Sequence, residues 1–116
     1  MIIFRVCPLR KAAIDKPFRI DVHHHFAPPR WLAEVTGRDL LNPRVREWTP
    51  AKSVEDMDRA GIASGVVSLT NPGLRFGNED AERHLARERN DYAAGMVRGL
   101  PGRFGLYAAV PMPWNY

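Results

Sequence analysis

An α/β fold with parallel strands in the order β-α-β-α-β is what the sequence predicts, and three observations carry it. Residues 18–25 alternate apolar and polar side chains, residues 62–69 form a β-branched apolar run, and residues 104–110 form a third short apolar run. Stretches of more than thirty residues with helical signals separate the three runs. Parallel neighbours need crossovers of about that length, whereas antiparallel ones are joined by tight turns.

The first strand opens after Pro17, with Phe18, Ile20 and Val22 on one face and Arg19, Asp21, His23 and His25 on the other. Pro28 and Pro29 end it, because proline donates no ladder hydrogen bond. Residues 31–35 read as a short helix stopped by Gly37, and residues 38–52, with Pro43 and Pro50 and no clear period, as loop. Ser53 is the expected N-cap of a helix with Asp56 at N3, burying Val54, Met57 and Ala60 and ending at Gly61. The second strand, residues 62–69, is apolar enough to be expected buried on both faces. Thr70-Asn71-Pro72-Gly73 is a turn: proline presets φ and glycine tolerates a positive one. Asn78 caps the longest helix, with Glu79 and Asp80 placed well for its dipole. Ala81, Leu85, Tyr92, Ala93, Met96 and Val97 recur along it at helical spacing until Gly99 and Pro101. The third strand, residues 104–110, runs into Pro111-Met112-Pro113.

The chain has 116 residues, 45% hydrophobic and 26% charged, which is globular in balance and enough for one modest core. Its net charge of +4 invites a polyanion as partner, but the excess is local. Residues 1–20 hold Arg5, Arg10, Lys11, Lys16 and Arg19 against Asp15, while the remaining residues balance to zero. Residues 1–17 are therefore read as a basic arm and residues 18–116 as the folded domain, without an electrostatic footprint for nucleic acid. A single cysteine, Cys7, permits no internal disulfide and fits a reducing compartment. Arg5 interrupts Met1-Ile2-Ile3-Phe4 before an apolar signal region can form, and no run approaches the ~20 apolar residues of a membrane span. A cytoplasmic location and no membrane partner are expected.

The chemistry concentrates in His23-His24-His25. The strand period sends His23 and His25 to one face and His24 to the other. Two imidazoles at i and i+2 can converge on one cation, and neutral imidazole suits zinc and similar metals. Asp21 shares their face as a candidate supporting partner, and the strand's C-terminal end is where α/β folds hold ligands. The bland alternative is that the rings merely stack or hydrogen-bond.

At this point the residues resemble a family. Arg19-Ile20-Asp21-Val22-His23-His24-His25-Phe26-Ala27-Pro28-Pro29 resembles the opening strand of the metal-dependent amidohydrolase superfamily. The resemblance is greatest to its amidohydrolase-2 branch, which includes aminocarboxymuconate-semialdehyde and 6-methylsalicylate decarboxylases. It continues through Met57-Asp58-Arg59-Ala60-Gly61-Ile62, Asn90-Asp91, Pro101-Gly102-Arg103-Phe104-Gly105 and Ala109-Val110-Pro111-Met112-Pro113, covering about residues 18–113 in the family's order. The resemblance implies a TIM-type (β/α)8 barrel of which this chain holds the first three strands, since a closed barrel needs ~250 residues. It also implies that His23 and His25 ligate a divalent metal, usually Zn²⁺. The other ligands in such enzymes are a histidine of strand five and an aspartate of strand eight, with a catalytic histidine on strand six. Those strands lie beyond this sequence. The expectation is an N-terminal fragment of a metal-dependent carboxy-lyase or hydrolase for a small aromatic or dienoic acid, inactive alone and liable to self-associate. A small α/β metal-binding or interaction module without catalysis is the rival reading.

Other candidates are weaker. Arg44, Arg46 and Arg75 sit in expected loops from which they could pair with a substrate carboxylate, and Trp31 and Trp48 could wall a pocket or pack in the core. His84, between Arg83 and Arg87, reads as a solvated surface residue. Ser64 and Ser68 have no evident partner histidine, so nucleophilic catalysis is not expected.

Overall fold

The computed structural model describes residues 18–36, 43–70, 73–74 and 78–111. The basic arm, Cys7, Gly37, Asn71, Pro72, Arg75, Met112 and Pro113 fall outside the described residues. Three parallel strands, β1 (Arg19–Phe26), β2 (Ile62–Leu69) and β3 (Phe104–Leu106), lie side by side in chain order. Between β1 and β2 come helices α1 (Pro29–Thr36), α2 (Pro43–Arg46) and α3 (Pro50–Ala60), and between β2 and β3 the long α4 (Glu79–Gly99). The alternation of strands and helices is thus as expected, and no described helix is long and apolar enough to cross a membrane.

One face of the sheet is covered. Phe26 of β1, Val67 of β2 and Phe104 of β3 form a buried cluster with Met57 of α3 and with Ala93 and Met96 of α4. A second cluster joins Ala27, Trp31 and Val35 to Leu85 of α4, so Trp31 is a core residue. The opposite face is open: Ile20 and Val22 are 54% and 61% exposed. This corrects the expectation for β2, in which only Gly65 and Val67 are buried. Helices cover only one face, so the outward-facing residues of an apolar strand stay half-exposed.

Three element boundaries also differ. The N-cap of α3 is Thr49, not Ser53: Thr49 is extended (φ −141°, ψ 157°) and its hydroxyl accepts from the Lys52 amide at 3.1 Å. Pro50 follows at N1, where its missing N–H costs nothing. Residues 43–46 form α2, so the span expected as loop contains a helical turn and the first turn of α3. Arg44 and Arg46 accordingly lie on α2, exposed, rather than in a loop. The third strand is three residues long instead of seven. The Tyr107 amide still donates to the Val67 carbonyl of β2 at 3.0 Å, and beyond it the backbone turns to α4 for partners: Asn90 Nδ2 donates to the Ala109 carbonyl at 2.9 Å, and the Ala109 amide donates to Asn90 Oδ1 at 2.8 Å. The expected caps at Gly61 and Asn78 are present. Gly61 has φ 68°, and Asn78 Oδ1 accepts from the Ala81 amide at 2.9 Å.

Candidate metal centre

The histidines occupy an irregular stretch of β1. In the pairing with β2, β1 advances three residues from Asp21 to His24 while β2 advances two, from Gly65 to Val67. That extra residue is a β-bulge, and it shifts the strand's side-chain alternation. Asp21 is therefore not on the face of His23 and His25, as strict alternation expects. Its Oδ2 meets His24 Nδ1 at 3.0 Å, and its Oδ1 accepts from the His23 amide at 3.0 Å. These hydrogen bonds, the amide first and the imidazole second, hold the Asp21 carboxyl below the usual carboxylate range.

His24 points toward the helices. Its Nε2 lies 2.9 Å from Ser53 Oγ, and that oxygen also accepts from Trp48 Nε1 at 2.9 Å. Ser53 is 5% exposed, deep between α3 and β1. Neither Ser53 nor Trp48 was legible as a partner of His24, because nothing in their spacing relates them to β1. Trp48 also packs edge-on against Phe26, with ring centroids 6.1 Å apart.

His23 and His25 come together on the open face. Their rings meet edge to face with centroids 4.7 Å apart, and their Nε2 atoms are separated by 3.1 Å. His25 stands opposite Ser68 in the β1–β2 register, and its Nδ1 lies 3.4 Å from the Ser68 carbonyl and 3.5 Å from Ser68 Oγ. Ser68 thus has a histidine neighbour that sequence distance hid. An Nδ1–H on His25 directed at that carbonyl leaves its Nε2 lone pair facing His23 Nε2. Two nitrogens sharing one tetrahedral zinc at about 2.0–2.1 Å are about 3.3 Å apart, so the pair is pre-set for a shared cation. The donor set fits a borderline metal, but it contains two ligands. Among the described residues no group of three or more His, Cys, Asp and Glu side chains is placed to hold an ion. His84 is exposed on α4.

A groove of about 400 Å³ opens beside the ends of β2 and β3, lined in part by Ser68, Leu69, Tyr107, Ala109, Glu82 and Arg89. Arg89 is 3% exposed: its Nη2 donates to the Tyr107 carbonyl at 3.2 Å, its Nη1 to Asn90 Oδ1 at 3.0 Å, and its guanidinium lies 5.1 Å from the centre of the Phe26 ring. Burial lowers its pKa to about 10. Glu82 is 2% exposed. Both occupy the inward stripe of α4 marked by Leu85, Ala86, Ala93 and Met96, and that spacing was the signal by which they could have been found.

Decarboxylase yanB of Aspergillus niger is 40% identical over 97 residues, which is 80% of this chain and 26% of that protein. The 6-methylsalicylic acid decarboxylase of Penicillium expansum is 30% identical over 80% of this chain and 30% of that protein. The chain is homologous to amidohydrolase-2 decarboxylases. Among solved structures, an amidohydrolase II superposes with a TM-score of 0.74 at 25% identity, over 83% of this chain and 32% of that one. A dihydroxybenzoic acid decarboxylase from Polaromonas, crystallised with manganese and 2-nitroresorcinol, superposes with a TM-score of 0.68 at 28% identity, over 82% and 30% of the two chains. No protein-family model matches the sequence. The chain thus spans about a third or less of the length of the relatives it matches.

Proposed function

We propose that this chain supplies the first three strands of a (β/α)8 barrel in a metal-dependent decarboxylase of small aromatic carboxylic acids, with His23 and His25 as two ligands of its divalent ion. The observation that carries the proposal is the 3.1 Å approach of the two Nε2 atoms at the C-terminal end of β1, on the face left open by the helices. The relatives support the reaction class, and the manganese in the Polaromonas enzyme supports Mn²⁺ beside Zn²⁺ as the ion. Such an ion, when bound, supplies positive charge to orient a substrate's carboxylate and neighbouring oxygens. This chain's part is to present two neutral imidazoles, with the Ser68 carbonyl fixing the His25 tautomer.

Two histidines are too few for a complete catalytic zinc site, which takes three protein ligands and keeps an open position. The remaining ligands and the acid–base group belong, on this reading, to later strands, and the 116 residues alone are inactive. The exposed Ile20 and Val22 then form part of the barrel's inner wall, and without later strands this face and the free strand edges promote self-association. The single cysteine suits a cytoplasmic location.

The test is metal titration of the chain, with His23→Ala and His25→Ala alongside. Weak 1:1 binding of Mn²⁺ or Zn²⁺ that disappears in both variants is the expected result. Tight stoichiometric binding would favour a self-sufficient metal-binding module, and binding unaffected by either substitution would refute the assignment.

A further inference from the structure

We propose that Asp21, His24, Ser53 and Trp48 form a positioning network that fixes the β1 bulge and thereby aims His23 and His25 at one point. The inference rests on the metal-site reading above.

The donors and acceptors of the network form a single consistent sequence. The Trp48 indole N–H can only donate, so Ser53 Oγ accepts from it at 2.9 Å. The Ser53 hydroxyl proton is then directed at His24 Nε2, 2.9 Å away. With Nε2 an acceptor, neutral His24 carries its proton on Nδ1 and donates to Asp21 Oδ2 at 3.0 Å. The second Asp21 oxygen accepts the His23 amide at 3.0 Å. Every polar group in the set has one role, and the last bond reaches the backbone of a proposed metal ligand.

Two further observations make the network more than local packing. The ring of His24 is accommodated by a missing side chain: a Cβ on Gly65 would stand 3.1 Å from His24 Cγ. Asp21 and His24 also bracket the second of the two register shifts in β1, the first lying between Arg19 and Ile20. Regular alternation would turn Asp21 to the side of His23 and His25. Tying Asp21 to His24 on the helix side instead places the extra residue between them, and anchoring His24 to α3 prevents the bulge from migrating along the strand. The imidazoles of His23 and His25 then start from a fixed backbone, so little freedom is lost when they share an ion. Supporting partners of this kind typically change metal affinity 10–100-fold.

The experiment titrates Co²⁺ and Mn²⁺ into the 116-residue chain and its Ser53→Ala, Asp21→Asn, His23→Ala and His25→Ala variants, with thermal melts of each. Long-range ¹⁵N spectra of the metal-free imidazoles are recorded in parallel. The two histidine variants are expected to lose binding. Ser53→Ala and Asp21→Asn are expected to keep a cooperative melt and bind about tenfold more weakly or worse. His24 in the parent chain is expected as a single Nδ1–H tautomer. Parent-like affinity in both Ser53→Ala and Asp21→Asn, or a mixed His24 tautomer, would overturn the network while leaving the metal site standing. No binding by the parent chain, or undiminished binding by the histidine variants, would overturn both. If Ser53→Ala fails to fold, Asp21→Asn decides, because Asp21 lies at the partly exposed end of the network.

Discussion

Replacing Asn90 by alanine tests how the chain beyond β3 is held. Asn90 makes two hydrogen bonds to the Ala109 backbone, at 2.9 and 2.8 Å, and accepts a third from Arg89 Nη1 at 3.0 Å. A net hydrogen bond contributes about 0.5–1.5 kcal/mol, and those to a charged donor somewhat more. Ala109 is half-exposed, so water partly replaces what its backbone loses. The expected loss is about 2–3 kcal/mol, which for a domain of this size lowers Tm by about 10–15 °C. Asn90→Asp keeps the acceptor for the Ala109 amide and for Arg89 but sets a carboxylate oxygen against the Ala109 carbonyl, so it should recover less than half of that loss. Far-UV circular dichroism melts measure the global effect, and hydrogen exchange at the Ala109 amide measures the local one. A Tm within about 2 °C of the parent, with Ala109 exchange unchanged, would refute the claim that α4 holds this segment.

Three other outcomes are expected. Thr49→Ala removes the hydroxyl that caps α3 and should cost about 1 kcal/mol by urea unfolding, whereas Ser53→Ala should leave the helix start, read from backbone chemical shifts, unchanged. Gly65→Ala forces a methyl against His24 and should destabilise the fold by about 1–3 kcal/mol; a neutral result would mean the ring can move aside freely. Asp21 titrates below its ordinary pKa of 3.8 in the folded chain, so the unfolded chain takes up the proton first as pH falls. Its contribution to stability is therefore complete above about pH 5 and is lost on descending below pH 4. Asp21→Asn should flatten the acid side of the stability–pH curve, and an unaltered slope in acid denaturation would contradict the hydrogen bonds drawn to it.

Much of the fold was legible because it rests on local rules. The prolines at positions 28 and 29, the glycine at position 61 and the asparagine at position 78 each mark an element boundary through backbone chemistry alone, and all three marks hold. His23 and His25 were legible as a pair for the same reason. What the sequence hid depends on contacts between elements. The bulge that moves Asp21 away from the histidine pair is a property of two paired strands and leaves no trace in either one. Ser53 sat in a convincing capping pattern, yet Thr49-Pro50 four residues earlier offers a better start, and Ser53 was free to serve a histidine 29 residues away. The third strand shortened because Asn90, on another element, competes for its backbone groups.

That competition bears on the order in which the molecule assembles. An amide side chain on α4 offers Ala109 one donor and one acceptor, the same pair a neighbouring strand would present. The turn from α4 into β3 is short, so this bracket closes over a span of 19 residues, while the pairing of β1 with β2 spans 43. Loop-closure entropy favours the shorter span. The α4–β3 hairpin can therefore set the direction of the chain at residues 107–109 before the sheet is complete, giving a nascent polypeptide a correctly aimed strand end on which pairing can later proceed.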